Sequence, residues 1–295
     1  MKSFDKRQGK LRLDSPAKIT PWLHILGRRR DGYHEVDLCL VPISLFDTLE
    51  FRLGDEGPVK FRVHGGEGLG ALERNLVLRA ALAFEEALGK DLSVEIDLTK
   101  RIPWGAGLGG GSGNAAATLL ALNRMLGEPV QRERIFDLAL KLGSDVPLFL
   151  DPRPQRAGGR GEKLSALTDF PAMELILVKP VVSIPTQQAY ARLNSYRGSV
   201  SVREPRSFEE LTAIVENDFE PVLFPEYPEL REIKFRLLSA GAAGATLSGS
   251  GSAIFGLFPN PHGRDRALER FQAEPDWEVY RCASLNRYEY FRPDS

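Results

Sequence analysis

Cysteine is scarce: Cys39 and Cys282 are the two thiols in 295 residues, far apart in sequence. Two are too few for a disulfide framework or a cysteine zinc cluster, so each reads as a small buried hydrophobe. Long apolar runs are missing too, with none near the ~18 residues of a membrane span. The N-terminal stretch MKSFDKRQGKLRLDS is polar and has no apolar segment of the kind a secretory signal needs. Nor is one sign of charge in excess: 39 Lys and Arg stand against 40 Asp and Glu, a formal net charge of −1. No global field therefore favours nucleic acid or an anionic membrane. The short run GRRR at 27–30 reads as a solvated loop. Internal repeats and low-complexity tracts are absent. These exclusions leave a globular chain in a reducing, cytoplasmic compartment, with no nucleic-acid or membrane partner and its oligomeric state open.

Length allows one large domain or two ordinary ones. TLEFRL (48–53) and VKFRVH (59–64) alternate apolar and polar residues around GDEGP, which predicts a hairpin. NLVLRAALAFEEAL (75–88) predicts a helix stopped by Gly89, and SVEIDL (93–98) a strand burying Val94, Ile96 and Leu98. Helices are expected from Ser112 to Leu126 and over 130–143, where Ile135, Leu138, Ala139 and Leu142 fall on one face. DPRPQRAGGRGE (151–162) has no periodicity and is the candidate junction, dividing residues 1–157 from 158–295. Beyond it, strands are expected at 174–179 and 277–283, and helices near 207–216, 228–239 and 263–273. ATLSGSGSAIFGLF (245–258) reads as a small-residue turn followed by a strand. Strands and helices mix without a strict βα repeat, which predicts an α+β fold in two lobes.

Against this ordinary background, GAGLGGGSG (105–113) has six glycines in nine residues and opens a helix. Glycine costs about 1 kcal/mol relative to alanine in ordered backbone, so bare backbone is needed there. The first turn of a helix carries unpaired N–H groups and partial positive charge, and glycines let an anion approach them. That makes a phosphate site. A Walker loop is excluded because no Lys follows the glycines. A dinucleotide fingerprint fits Gly105, Gly107 and Gly110, but its acid would fall near Arg124–Glu128, where Glu128 sits in a turn. A tight packing turn would need only one or two glycines. A third reading is the loop P-x-G-x-G-L-G-G-G-S of small-molecule kinases. Ser112 at the helix start can cap it or offer a hydroxyl to magnesium, and Asn114 can do similar polar work. Asp145 stands in a loop just after a helix-stopping glycine, where it can face a cleft or cap the next turn. Lys18 in the apolar, β-like PAKI segment is costly unless paired.

SPAKITPWLHILGRRRDGYHEVD (15–37) resembles the first motif of the GHMP kinase superfamily (galactokinase, homoserine kinase, mevalonate kinase), and most closely its branch with a cytidyl acceptor. IPWGAGLGGGSGNAA (102–116), LGSDVPLFL (142–150), GRGE (159–162), VSIPT (182–186) and TLSGSGSAIF (246–255) have counterparts there in the same order. The resemblance implies the two-lobed α+β GHMP kinase fold with a cleft between an ATP-binding N-terminal domain (1–157) and a C-terminal domain (158–295). It implies ATP-dependent phosphorylation of a hydroxyl on a small cytidyl substrate, with Mg²⁺, on a route to isoprenoid precursors. Asp145 would take the hydroxyl proton, with Lys18 paired to it. Lys100, Pro103, Gly105, Gly107, Leu108, Gly109, Gly110, Gly111, Ser112, Gly113 and Asn114 would hold ATP, and Ser112 the metal. Thr20, Tyr33, His34, Tyr190, Gly249, Ser250 and Gly251 would hold the acceptor, its base on the aromatic rings. His24 and His64 read as structural. The chain departs from the family pattern at Thr20 (usually Asn), at Gly113 (usually Ser) and over 151–156 (usually glycine-rich). Those departures leave room for a related kinase with another acceptor, or for a non-catalytic nucleotide-binding homologue.

Overall fold

The structure, a computed structural model, describes residues 9–65, 72–271 and 275–291. The first eight residues of the polar N-terminal stretch, and residues 272 and 273 of the expected last helix, lie outside them. In chain order come β1 (Lys10–Ile19), β2 (Trp22–Arg28), β3 (His34–Leu53), β4 (Lys60–His64), α1 (Leu76–Leu88), β5 (Val94–Thr99), α2 (Gly110–Met125) and α3 (Arg132–Leu142). A 3₁₀ turn (Pro147–Leu150) leads to β6 (Gln155–Gly158), β7 (Lys163–Ala166) and β8 (Glu174–Pro180). Then follow α4 (Thr186–Ala191), α5 (Phe208–Thr212), β9 (Glu216–Asn217), α6 (Glu220–Leu223) and α7 (Pro228–Ser239). β10 (Gly244–Leu247), β11 (Ile254–Phe258), α8 (Pro261–Leu268) and β12 (Trp277–Ala283) complete the order.

Two sheets result, one of eight strands and one of four in the order β10-β11-β8-β12. The 20-residue β3 is the spine of the first, pairing along its length with β2, β6, β1 and β5. Helices α1, α2 and α3 cover that sheet through Leu13, Phe51, Phe84, Ile96, Leu119 and Leu138. Helices α7 and α8 cover the second sheet through Ile176, Leu230, Ile233, Leu237 and Ala267. A third cluster joins the sheets to each other: Ala17, Ile19 and Val41 meet Leu175, Leu177, Phe255 and Leu257. After β12 the chain returns to the first sheet, where Leu285 N–H donates to the Pro42 carbonyl at 2.8 Å.

The helix signals hold at α1, where Asn75 Oδ1 accepts from Val77 N at 2.9 Å and Gly89 closes the helix at φ 71°. The expected hairpin of 48–53 with 59–64 does not form. β5 lies between the two segments, antiparallel to β3 and parallel to β4. The more apolar strand takes the inner place: Val94, Ile96 and Leu98 are buried, while β4 stays a half-exposed edge. The connection from β4 to β5 carries α1, as a parallel pair requires. The helix expected over 207–216 stops at Thr212, because the chain must extend into β9 to pair with Trp22 and Leu23. Helix α2 starts at Gly110, two residues before the expected Ser112.

Candidate functional site

A cavity of about 950 Å³ opens where the glycine loop, the β1–β2 corner, the 144–145 turn, α4 and the 249–250 turn converge. Helix α2 points its N-terminus into it. The cap is Gly109 at φ 68°, with no side-chain cap bond, and the first intrahelical bond is Gly113 N–H to Gly109 O at 2.9 Å. The amides of Gly110, Gly111 and Ser112 are therefore left without helical acceptors. All three residues line the cavity. Positive partial charge and bare backbone meet there, which is an anion site.

The glycines answer a second demand as well. Gly107 has φ +74°, and a Cβ on it would stand 1.9 Å from the carbonyl oxygen of Ser248. Its own carbonyl accepts from Lys18 Nζ at 2.6 Å and Ser248 Oγ at 3.0 Å. Ala253 N–H donates to Ala106 O at 3.2 Å. The loop is thus stitched backbone to backbone onto the second sheet's turn. A Cβ on Gly113 would meet Ser15 Oγ at 2.7 Å and Pro16 O at 3.0 Å, so this face of α2 rests on β1. Gly113 and Gly251 stand off the cavity wall, whereas the other residues expected to hold ATP or the acceptor, with Lys18 and Asp145, line it.

Lys18 is 4 % exposed. Burial pushes its ammonium below the ordinary lysine range, and the Asp145 charge works against that shift. Nζ donates to Thr20 Oγ1 at 3.1 Å and to Gly107 O, while Asp145 acts on it through space. Thr20 thus serves the lysine with the hydroxyl that stands where the family has Asn. Asp145 is half-buried in the turn after Gly143, the residue that ends α3. A cation, a carboxylate and an anion cradle therefore share one water-accessible space.

At the other end of the cavity, the His34 ring stacks on Tyr190 with centroids 4.7 Å apart and planes 23° apart. Tyr190 in turn meets the edge of Phe219 at 4.9 Å. Burial and the Arg28 charge lower the His34 pKa, favouring neutral imidazole. Burial, with Asp145 adding, pushes the Tyr190 hydroxyl up to about 12. Tyr33 points outward, 57 % exposed, with the Arg160 guanidinium 4.6 Å above its ring. Sequence reasoning missed Tyr196, whose ring lies 5.7 Å from that of His34. Nothing around Tyr196 in the chain marks it. Arg160 lies inside the GRGE motif, which did mark it.

Lys100 also lines the cavity, but its strongest partner was not expected. Nζ donates to Asp47 Oδ2 at 2.6 Å and to Ile102 O at 2.5 Å. Asp47 is completely buried and also accepts from Arg101 N at 2.7 Å, Ile102 N at 2.8 Å and Asn114 Nδ2 at 2.8 Å. Among the described residues no group of three or more His, Cys, Asp or Glu could hold a metal ion. His24 and His64 lie away from the cavity wall: His24 is buried between Asp37 and Glu216, and His64 is on the exposed edge strand. No helix among the described residues is long and apolar enough to cross a membrane.

Residues 75–151 match the model of the GHMP kinases N terminal domain, and residues 201–276 that of the GHMP kinases C terminal. A 4-diphosphocytidyl-2-C-methyl-D-erythritol kinase of Geobacter sulfurreducens is 40% identical over 267 residues, covering 90% of this chain and 95% of its own. The enzyme of the same name from Geobacter sp. (strain M21) is 37% identical over 271 residues, covering 91% and 96%. A crystal structure of 4-(cytidine 5'-diphospho)-2C-methyl-D-erythritol kinase superposes with a TM-score of 0.76 at 36% identity, covering 93% of this chain and 99% of that one. A homoserine kinase from Cytophaga hutchinsonii shares the fold at a TM-score of 0.72 and 19% identity.

Proposed function

Because this chain belongs to the GHMP kinases, we propose that it phosphorylates the 2-hydroxyl of 4-diphosphocytidyl-2-C-methyl-D-erythritol with ATP, a step toward isoprenoid precursors in the cytoplasm. The observation that carries the reading is the convergence of the free α2 amides, Lys18 and Asp145 on one cavity whose far end is aromatic. Phosphoryl transfer asks mainly for positioning and charge neutralisation, and these residues supply both.

The amides of 110–112 bind phosphate oxygens, and Lys100 adds a cation beside them. Among the described residues no carboxylate cluster could hold a metal by itself, so the residues would fit a magnesium ion carried in on the nucleotide, with the Ser112 hydroxyl as the group that would hold it. That ion, when bound, neutralises phosphate charge. Asp145 accepts the proton of the acceptor hydroxyl. Lys18, braced by Thr20 and the Gly107 carbonyl, holds positive charge close to the aspartate and the transferring group. His34 and Tyr190 hold the cytosine through its edge and its face, and Gly249 and Ser250 close the acceptor side. We place the division between the lobes near residue 157, with the β6–β7 hairpin straddling it.

The test is ADP release with ATP, Mg²⁺ and the cytidyl acceptor against a blank without acceptor. Acceptor-dependent release is expected. Asp145→Asn should lower turnover by about 10²–10⁴, the scale of a lost general base, while ATP affinity stays within a few-fold. Full turnover in that variant would remove Asp145 from the role. No release above the blank, with ATP still bound, would move the acceptor to another alcohol.

A further inference from the structure

Asp47 falls in register with Leu45, Leu49 and Phe51 on the apolar face of β3, where an acid is costly unless paired; it is 0 % exposed and meets four donors. Those donors come from three places: Lys100, the backbone of Arg101 and Ile102, and Asn114 in the second turn of α2. Two of the three N–H bonds of Lys100 are spent on Asp47 and the Ile102 carbonyl, leaving one. A Cβ on Gly110, the first residue of α2, would stand 3.1 Å from Nζ. The remaining N–H therefore lies against the turn whose amides have no acceptors. Asn114 Oδ1 is buried without a partner, so its amide is oriented through Nδ2 and Asp47 alone.

We propose that Asp47 is the positioning residue of the nucleotide site, holding the Lys100 ammonium at the mouth of α2 and tying the 100–102 turn to that helix through Asn114. Asp47 does not touch the nucleotide; it acts through Lys100 and Asn114. Burial drives Lys100 toward its neutral form, and Asp47 is what opposes this. The other charges near this turn are otherwise placed. Arg101 is exposed, and His64 and Asp97 face each other at 3.4 Å on the outer edge of the sheet. Arg74 and Lys18 line other parts of the cavity. The proposal rests on the kinase reading, but only on its nucleotide half.

The experiment measures ADP affinity by calorimetry, with no acceptor present, for wild type, Asp47→Asn and Lys100→Met between pH 7 and 9.5. Asp47→Asn keeps the shape but removes the charge and turns an N–H toward Lys100. Its affinity should fall about tenfold or more, the scale of a lost charge-assisted hydrogen bond, and fall further as pH rises and Lys100 loses its proton. Wild type should lose affinity at higher pH than Asp47→Asn does, and Lys100→Met should be weak and flat. Affinity within twofold of wild type, or a loss equal at every pH, overturns the proposal. Should Asp47→Asn fail to fold, the wild-type protein decides. In ¹³C spectra of ε-labelled lysine, assigned with Lys100→Arg, the Lys100 signal should move on adding ADP, and a signal that stays still overturns the idea. A chain that releases no ADP with the cytidyl acceptor would sink the substrate assignment while leaving these affinities to judge Asp47.

Discussion

A methyl group on Gly107 would overlap the Ser248 carbonyl at 1.9 Å, and φ +74° strains any side chain there. Gly107→Ala should therefore cost about 2–4 kcal/mol, from left-handed backbone strain plus overpacking against an atom that cannot swing aside. Gly111 differs: its Cβ would meet Leu76 Cδ1 at an ordinary 3.6 Å, inside a helix. Gly111→Ala should be neutral or stabilise by up to about 1 kcal/mol. Urea unfolding of both variants checks the pair, and equal effects would mean that the loop's glycines are interchangeable. The glycines, Lys18 and Asp145 were legible because each breaks a local rule: too much bare backbone, a cation among apolar residues, an acid just past a helix stop. Tyr196 breaks none. Asp47 does break one, an acid in register with Leu45, Leu49 and Phe51, and it was passed over; tertiary pairing then shows that donors from two segments, the 100–102 turn and α2, converge on it.

Among the elements, α1, α2, α3 and α7 were read closely because a 3.6-residue period and a capping residue are both local, whereas the short α4 and α6 carry too few turns to show a period and were not read. The strand at 59–64 was read as a strand but given the wrong partner, since alternation states which face is buried and not which neighbour is bonded. β6 was hidden in the Pro- and Gly-rich segment 151–162, and the four-residue β7 just after it is too short to show an alternation. β2 shows how such elements are fastened. His24 Nε2 meets Glu216 Oε1 at 2.8 Å on β9, and its Nδ1 faces Asp37 Oδ2 on β3 at 3.6 Å. Arg156 on β6 holds Asp37 at 2.5 Å, and Arg197 holds Glu216 at 2.6 Å. Burial alone would lower the His24 pKa, but Asp37 and Glu216 outweigh it and the net shift is upward. A raised folded value means that the charged form stabilises the fold. That contribution is complete below the unfolded value of about 6.5 and disappears as pH rises through the folded value. The unfolding midpoint of His24→Gln should thus lie furthest below wild type near pH 5.5, with the gap narrowing as pH rises above about 6.5 toward pH 8.5. A gap that stays constant over that range would mean that the imidazole contributes packing alone.

At the scale of the molecule, two family-model matches and two sheets invite the picture of two separable lobes, but the packing argues otherwise. Ala17, Ile19, Trp22 and Val41 of the first sheet share one core with Leu175, Leu177, Phe255 and Leu257 of the second, and Ile102, Ala106 and Leu108 of the glycine loop's approach fill the space with them. The C-terminal tail then crosses back, with Tyr288 Oη donating to Asp14 O at 2.7 Å and Tyr290 buried in the first lobe's own cluster. Removing either sheet would leave the other with an uncovered apolar face. The expected outcome is a single cooperative transition in urea, coincident by far-UV circular dichroism and tryptophan fluorescence. Leu257→Ala, a fully buried truncation in the second sheet, should lower the stability seen by both probes together by about 2–5 kcal/mol. A fragment ending at residue 157 should fail to fold cooperatively. Two separated transitions, or a Leu257→Ala effect confined to one of them, would show that the lobes melt independently. The cleft would then rest on the Gly107–Ser248 stitch rather than on a common core.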